Sequence, residues 1–145
     1  MKIAIGADHG GYKLKESLVR FLKKRGHTIK DFGTFSKASC DYPVIGYQVS
    51  KAVAKKKFSR GILICTTGIG MSMTANKVKG VRAALCNRVD IARLSRKHND
   101  ANVLVFAAKA VPSAKAKKIA TIWLSTRASG GRHKRRVRQI NKIDS

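Results

Sequence analysis

The stretch Cys65-Thr66-Thr67-Gly68-Ile69-Gly70-Met71-Ser72 gathers a thiol, three hydroxyls and two glycines. Gly68 and Gly70 allow positive φ and a close approach of backbone to ligand. A helix starting near Gly70 would aim unsatisfied N–H groups and the positive end of its dipole at an anion there. A lone Gly-x-Gly equally makes an ordinary strand-to-helix turn, so Cys65 is the distinguishing residue. A cysteine closing a buried strand ordinarily serves as a small hydrophobe, and that reading suits Cys40 and Cys86. Beside Cys65, however, the loop that would hold an anion would also favour a thiolate. Such a thiolate acts either as nucleophile, with a histidine partner and an acyl substrate, or as base toward a carbon acid whose enolate oxygen sits in the hole. Spacing leaves both open.

His9, preceded by Asp8, and His98, followed by Asn99 and Asp100, stand at strand or helix ends, while His27 opens a strand and His133 lies in a basic tail. A single histidine is more often a surface or capping residue than a catalyst, but two are expected at the ligand-binding edge. Asp8 equally caps a helix, and Asn99 equally makes a turn. In the tail Gly130-Gly131-Arg132-His133-Lys134-Arg135-Arg136, Arg132 and Arg136 are four apart. In a helix that spacing puts both guanidinium groups on one face, fit to clamp a phosphate. A solvated charged end, or contact to a nucleic-acid backbone, explains the same run.

The elements that must position these residues alternate. Lys2 to Ala7 reads as a strand, and Leu14, Leu18, Phe21 and Leu22 recur at helical spacing between Gly11 and Gly26. His27 to Phe32 reads as the next strand. Asp41, ahead of Tyr42 and Pro43, is expected to N-cap a helix running to about Lys57. Gly61 to Cys65 is an apolar strand of the kind buried on both faces of a parallel sheet, and it feeds a short helix. Val81 to Leu85, a helix from about Arg88 to Lys97, Asn102 to Phe106 and a helix from Ser113 to Leu124 follow. This alternation predicts a single-domain, doubly wound α/β/α sandwich with a five-stranded parallel, Rossmann-like sheet. Ligands of such sheets bind beyond the strands' carboxyl ends, where Asp8, Cys65 and the His98 cluster are expected.

A chain of 145 residues suits one domain. Its 32 Lys and Arg against 7 Asp and Glu give a formal charge of +25, which by itself suggests a nucleic-acid or anionic-surface binder. With 43% hydrophobic residues in regular runs it can bury a core, which excludes disorder. No run approaches the roughly 18 apolar residues of a membrane span, and the start MKIAIGADHGG lacks a signal-peptide core, so the cytoplasm is expected. The three cysteines form no CxxC or CxxxH pair, so neither a disulfide framework nor a metal site is expected.

Gly6 to Gly11 (GADHGG), Asp41-Tyr42-Pro43, Cys65 to Ser72, Asn76-Lys77-Val78, Arg82 to Cys86 (RAALC), His98 to Leu104 (HNDANVL) and Gly130 to His133 together resemble ribose-5-phosphate isomerase type B, in order and over nearly the whole chain. The wider family includes galactose- and allose-6-phosphate isomerases. The resemblance implies isomerisation of ribose 5-phosphate to ribulose 5-phosphate, in the pentose phosphate pathway, through a cis-enediolate and without metal or cofactor. It implies Cys65 as the base, Thr67 as the group moving protons on the oxygens, and the amides of Gly68, Ile69, Gly70, Met71 and Ser72 as holders of the enediolate charge. His98 would help open the furanose; Tyr42, Asp8 and Asn99 would contact sugar hydroxyls; His9, Arg132 and Arg136 would contact phosphate. It further implies a homodimer or dimer of dimers with sites shared between subunits.

Two site positions depart from the family pattern. Thr66 stands where glycine is usual, and Lys109, in Ala107-Ala108-Lys109, replaces a forked arginine donor with a point charge. Val44 also replaces a common acidic residue. Residues 1–127 are thus expected to form the isomerase domain, and 128–145 a basic segment for phosphate and dimer contacts. A six-carbon aldose phosphate is the near alternative as substrate. A basic nucleic-acid-binding protein on the same fold is the alternative of another class, since the excess charge has no role at the site.

Overall fold

The apolar runs expected as strands pair in parallel, and the helices between them cover both faces. The computed structural model describes residues 1–144. In chain order the elements are β1 (Lys2–Ala7), α1 (Tyr12–Lys24), β2 (Thr28–Asp31), α2 (Tyr42–Ala54), β3 (Arg60–Cys65), α3 (Ile69–Asn76), β4 (Ala83–Leu85), α4 (Val89–Asn99), β5 (Val103–Ala107), α5 (Ser113–Ser125) and α6 (Arg132–Ile143). The sheet has five strands in the order β2-β1-β3-β5-β4, all parallel. The α/β/α sandwich expected from the alternation is therefore the architecture observed.

Period-two alternation sorts the core into two layers. Ile3, Ile5, Ile62, Ile64, Leu104 and Phe106 meet Leu14, Leu18 and Leu22 of α1, Ala92 of α4 and Ile119 and Trp123 of α5. Ala4, Leu63, Cys65, Val103 and Val105 point the other way, against Ile45, Val49 and Val53 of α2 and Met71 and Ala75 of α3. Burying each of the larger side chains contributes about 1.5–3 kcal/mol. Cys65 therefore lies under α2 and α3, which fixes the elements that can surround its sulfur.

Local chemistry explains where the helix ends differ from expectation. Asp41 occupies the N-cap of α2 in extended conformation, but its carboxylate makes no capping bond. Pro43 follows at the second helical position and has no N–H to offer, removing one of the two donors that an N-cap side chain can reach. The helix stops at Ala54 rather than near Lys57 because Lys56 turns left-handed at φ 57°. The Lys56 and Lys57 amides donate to the Val53 and Ala52 carbonyls, a Schellman closure.

One charge is buried in the framework. Lys15, fully buried, places Nζ 2.8 Å from Glu16 Oε1 and 2.5 Å from Asp31 Oδ2. Asp31 Oδ1 in turn accepts the Gly33 N–H at 2.8 Å. The pair thus ties α1 to the end of β2 and sets the path of the loop leading to Tyr42.

Candidate active site

Because β1, β3 and β5 are neighbours, their carboxyl-end loops lie side by side. Cys65, the last residue of β3, is buried, and its Sγ accepts the Gly68 N–H at 3.1 Å. Gly68 is left-handed, φ 75°, and α3 begins at the next residue. Thr67 Oγ1 accepts the Ile69 N–H at 3.3 Å, and the Ser72 N–H donates to the Gly68 carbonyl at 3.0 Å. Among the described residues, the amides of Gly70 and Met71 take no acceptor, as befits the first turn of a helix. Of the five amides expected to face an oxyanion, these two are open, while that of Ser72 is committed to the helix. The Ser72 hydroxyl is buried without a partner.

Neighbouring loops close around this turn. A Cβ at Gly70 would sit 2.5 Å from Tyr42 Cζ, so the Tyr42 ring lies directly on the start of α3. A Cβ at Gly10 would sit 2.1 Å from Thr66 Oγ1, so Thr66 fills the gap between the β1 and β3 loops. The Thr66 carbonyl accepts the Lys109 N–H at 3.1 Å, bringing the β5 loop to the same place. Asp8, buried, accepts the Gly11 N–H at 3.1 Å, which is the capping reading of that residue. His9 is exposed, and its Nδ1 accepts the Cys40 N–H at 3.3 Å. An accepting Nδ1 leaves Nε2 to carry the neutral ring's proton, ready to donate.

Gly68 carries the most constrained backbone of the turn. A Cβ there would meet Leu85 Cδ1 at 2.4 Å and the Phe106 carbonyl oxygen at 3.2 Å, in addition to the left-handed strain. Gly68→Ala is expected to lose about 2–4 kcal/mol of stability, combining the αL penalty with overpacking. Urea unfolding reads this directly, and an unchanged midpoint at unchanged slope would count against the geometry of the turn.

His98, Asn99, Arg132 and Arg136 do not join this cluster. The expectation of two histidines at one edge fails because α4 runs back from the carboxyl end of β4, so its last turn lies at the amino edge of β5. That is about a strand's length, roughly 15 Å, from Cys65. The His133 ring stacks on His98 with centroids 4.2 Å apart and planes 5° apart. The Ser129 N–H donates to the Lys97 carbonyl at 2.9 Å. The tail is a helix, so Arg132 and Arg136 do share a face, but they sit beside His98 and apart from Lys109. A cleft of about 310 Å³ opens here, lined by His98, Lys97, Gly130 and Lys134 among others. The pKa of His133 is lowered by desolvation first and then by the charges of His98, Arg132 and Arg136. Sequence reading left His133 in the tail; the helical spacing of the basic run was the only signal of its pairing.

The remaining cysteines behave as small hydrophobes or loop residues. Cys86 is buried, and desolvation pushes its thiol pKa up although the thiol bonds Ser95 Oγ at 3.7 Å. Cys40 is half-buried in the loop beside His9. Among the described residues no group of three His, Cys, Asp or Glu side chains is arranged to hold a metal.

The family model described as Ribose/Galactose Isomerase matches residues 3–140. The chain belongs to the ribose/galactose isomerase family. Ribose-5-phosphate isomerase B of Escherichia coli strain K12 is 46% identical over 143 residues, 99% of this chain and 96% of that one. Among solved structures, ribose-5-phosphate isomerase B of Clostridium thermocellum superposes with a TM-score of 0.98 at 49% identity, covering 99% of this chain and 97% of that one. The Thermotoga maritima ribose 5-phosphate isomerase gives 0.95 at 43% identity, covering 97% of each chain.

This isomerase leaves two apolar stripes uncovered. Val44 and Tyr47 on α2, with Ile69 and Met73 on α3, are 49–65% exposed around the Cys65 turn. On α4, Ile91 and Leu94 are about 40% exposed, at helical spacing with His98. A contiguous patch of this kind marks a surface that another protein covers. No helix is long and apolar enough to cross a membrane.

Proposed function

We propose that this isomerase interconverts ribose 5-phosphate and ribulose 5-phosphate at a site made by two copies of the chain, in the cytoplasm. One copy supplies Cys65, Thr67, the α3 amides, Asp8, His9, Tyr42, Thr66 and Lys109. The other supplies His98, Asn99, Arg132 and Arg136. The observation that carries the reading is the Cys65 sulfur facing a backbone turn whose next two helical amides, of Gly70 and Met71, are open. The exposed stripes on α2, α3 and α4 support the pairing, since each adjoins one half of the site.

In the open-chain sugar, the Cys65 thiolate takes the proton from C2 while the C2 electron pair forms the enediolate double bond to C1. The charge moves onto the carbonyl oxygen, where the Gly70 and Met71 amides receive it. Thr67 carries a proton between the two oxygens, and the thiol returns its proton to C1. A C–H beside a carbonyl is far too weak an acid for a thiolate in water, so the amides lower the barrier by holding the oxyanion as it forms. His98 assists ring opening. His9, Arg132 and Arg136 grip the phosphate, so that binding energy remote from the reacting carbons fixes their geometry. Residues 128–145 serve as the phosphate and dimer segment.

Thr66 narrows the mouth between the β1 and β3 loops, which favours a five-carbon substrate over a six-carbon one. The purified protein is expected to form ribulose 5-phosphate in the presence of a chelator, with kcat/KM for ribose 5-phosphate above that for allose 6-phosphate and galactose 6-phosphate. A reversed order would assign a six-carbon substrate; abolition of turnover by the chelator would defeat the metal-independent mechanism.

A further inference from the structure

The excess positive charge is not spread evenly. Between the edge strand β2 and helix α2 lies a cleft of about 550 Å³, within the range of small-molecule sites. Lys30, Lys51, Lys55 and Lys57 line it, together with the half-buried rings of Phe32 and Phe58. The two rings meet edge to face, with centroids 5.9 Å apart and planes at 76°. Lys51 and Lys55 are one helical turn apart on α2, and Lys30 and Phe32 project from the same side of β2.

No acidic residue lines the cleft. The nearest in sequence, Asp31, points to the opposite face, where it pairs with Lys15. Among the described residues none of the four lysines forms an ion pair. Four cations gathered without a counter-charge repel one another, and an anion in their midst removes that repulsion. The rings add a second requirement, because a bare phosphate has no use for an aromatic surface, whereas a nucleobase does.

We propose that the cleft between β2 and α2 binds a nucleotide unit, with its phosphate among Lys30, Lys51, Lys55 and Lys57 and its base against Phe32 and Phe58. The unit is either a free nucleotide or one link of a single-stranded nucleic acid, because both present the same phosphate and base. The cleft is distinct from the isomerase site: none of its lining residues belongs to the Cys65 turn or to the His98 and Arg132 cluster. Binding here would give the surplus lysines a ligand of their own.

The test uses the full chain with adenosine monophosphate by calorimetry and with a mixed-sequence RNA oligonucleotide by fluorescence anisotropy. Three to four phosphate-neutralising lysines predict a log–log dependence of RNA affinity on salt with a slope of about −2 to −3. Lys30→Ala/Lys51→Ala/Lys55→Ala is expected to weaken the bound ligand at least about tenfold and, for RNA, to flatten that slope by about 2. Phe58→Leu, which keeps apolar volume, is expected to weaken binding about five- to tenfold without altering the slope. Arg20→Ala/Lys24→Ala/Lys117→Ala removes the same charge elsewhere and is expected to change binding by less than about twofold. All three variants should retain isomerase turnover.

Binding of the mononucleotide alone would assign a free nucleotide, and binding of RNA with the same residue dependence would assign a strand. Equal weakening by the two charge-matched variants would mean diffuse attraction and overturn the site. So would displacement of the ligand by ribose 5-phosphate, or failure of both probes to bind at low salt.

Discussion

Cys65→Ala is expected to lower kcat for ribose 5-phosphate by roughly 10³- to 10⁴-fold, the scale on which a positioned base contributes. Nothing adjacent can take over the task. Thr67 Oγ1 is an alcohol already accepting the Ile69 N–H, and the histidines nearest in sequence lie on another loop or at the opposite sheet edge. The loss should fall on kcat with KM little changed, because the sulfur acts on the reacting carbon and the phosphate grip is elsewhere. Solvent deuterium should cease to enter the sugar in step with turnover. The substitution removes only a sulfur from a well-packed position beside Leu63 and Met71, so the thermal melt should move little. Undiminished turnover in a folded Cys65→Ala protein would remove Cys65 from the role of base.

A second large effect concerns which chain supplies which half of the site. Arg132→Ala/Arg136→Ala is expected to cost at least about 100-fold in kcat/KM, since each lost guanidinium–phosphate bond is worth about 1.5–3 kcal/mol. Alone, this variant and Cys65→Ala are each nearly inactive. Mixed in equal amounts and allowed to exchange subunits, they should recover about one quarter of wild-type activity. Half of randomly formed dimers are mixed, and each mixed dimer holds one site with Cys65 and both arginines intact. A site contained in one chain would recover nothing, because every such site would keep one defect. The experiment therefore tests the sharing independently of what each residue does chemically.

The fold was legible in the sequence because its signals are local. Gly61 to Cys65 is an unbroken apolar run, Leu14, Leu18 and Leu22 keep helical spacing, and glycines punctuate the ends. Where boundaries shifted, a backbone detail intervened: Lys56 adopts positive φ without being glycine, and Pro43 denies Asp41 one of its donors. The Cys65 turn was legible for the same reason, since thiol, glycines and helix start all lie within a few residues.

What the residues determined alone was the kind of chemistry: a thiol and a turn of free amides at a strand end, and a pair of arginines spaced for a phosphate. Tertiary structure decided which of these could meet. His98 follows a helix that retraces the length of the sheet, so adjacency to β5 in the chain leaves it at the wrong edge, a fact of strand direction that composition and spacing do not encode. The same structure decided that Gly70 and Met71, rather than Ser72, hold open donors, because only the starting residue of α3 settles which amides go unpaired. It also gathered four scattered lysines and two phenylalanines into one cleft, since sheet order and helix phase, rather than sequence distance, determine which surface groups share a space.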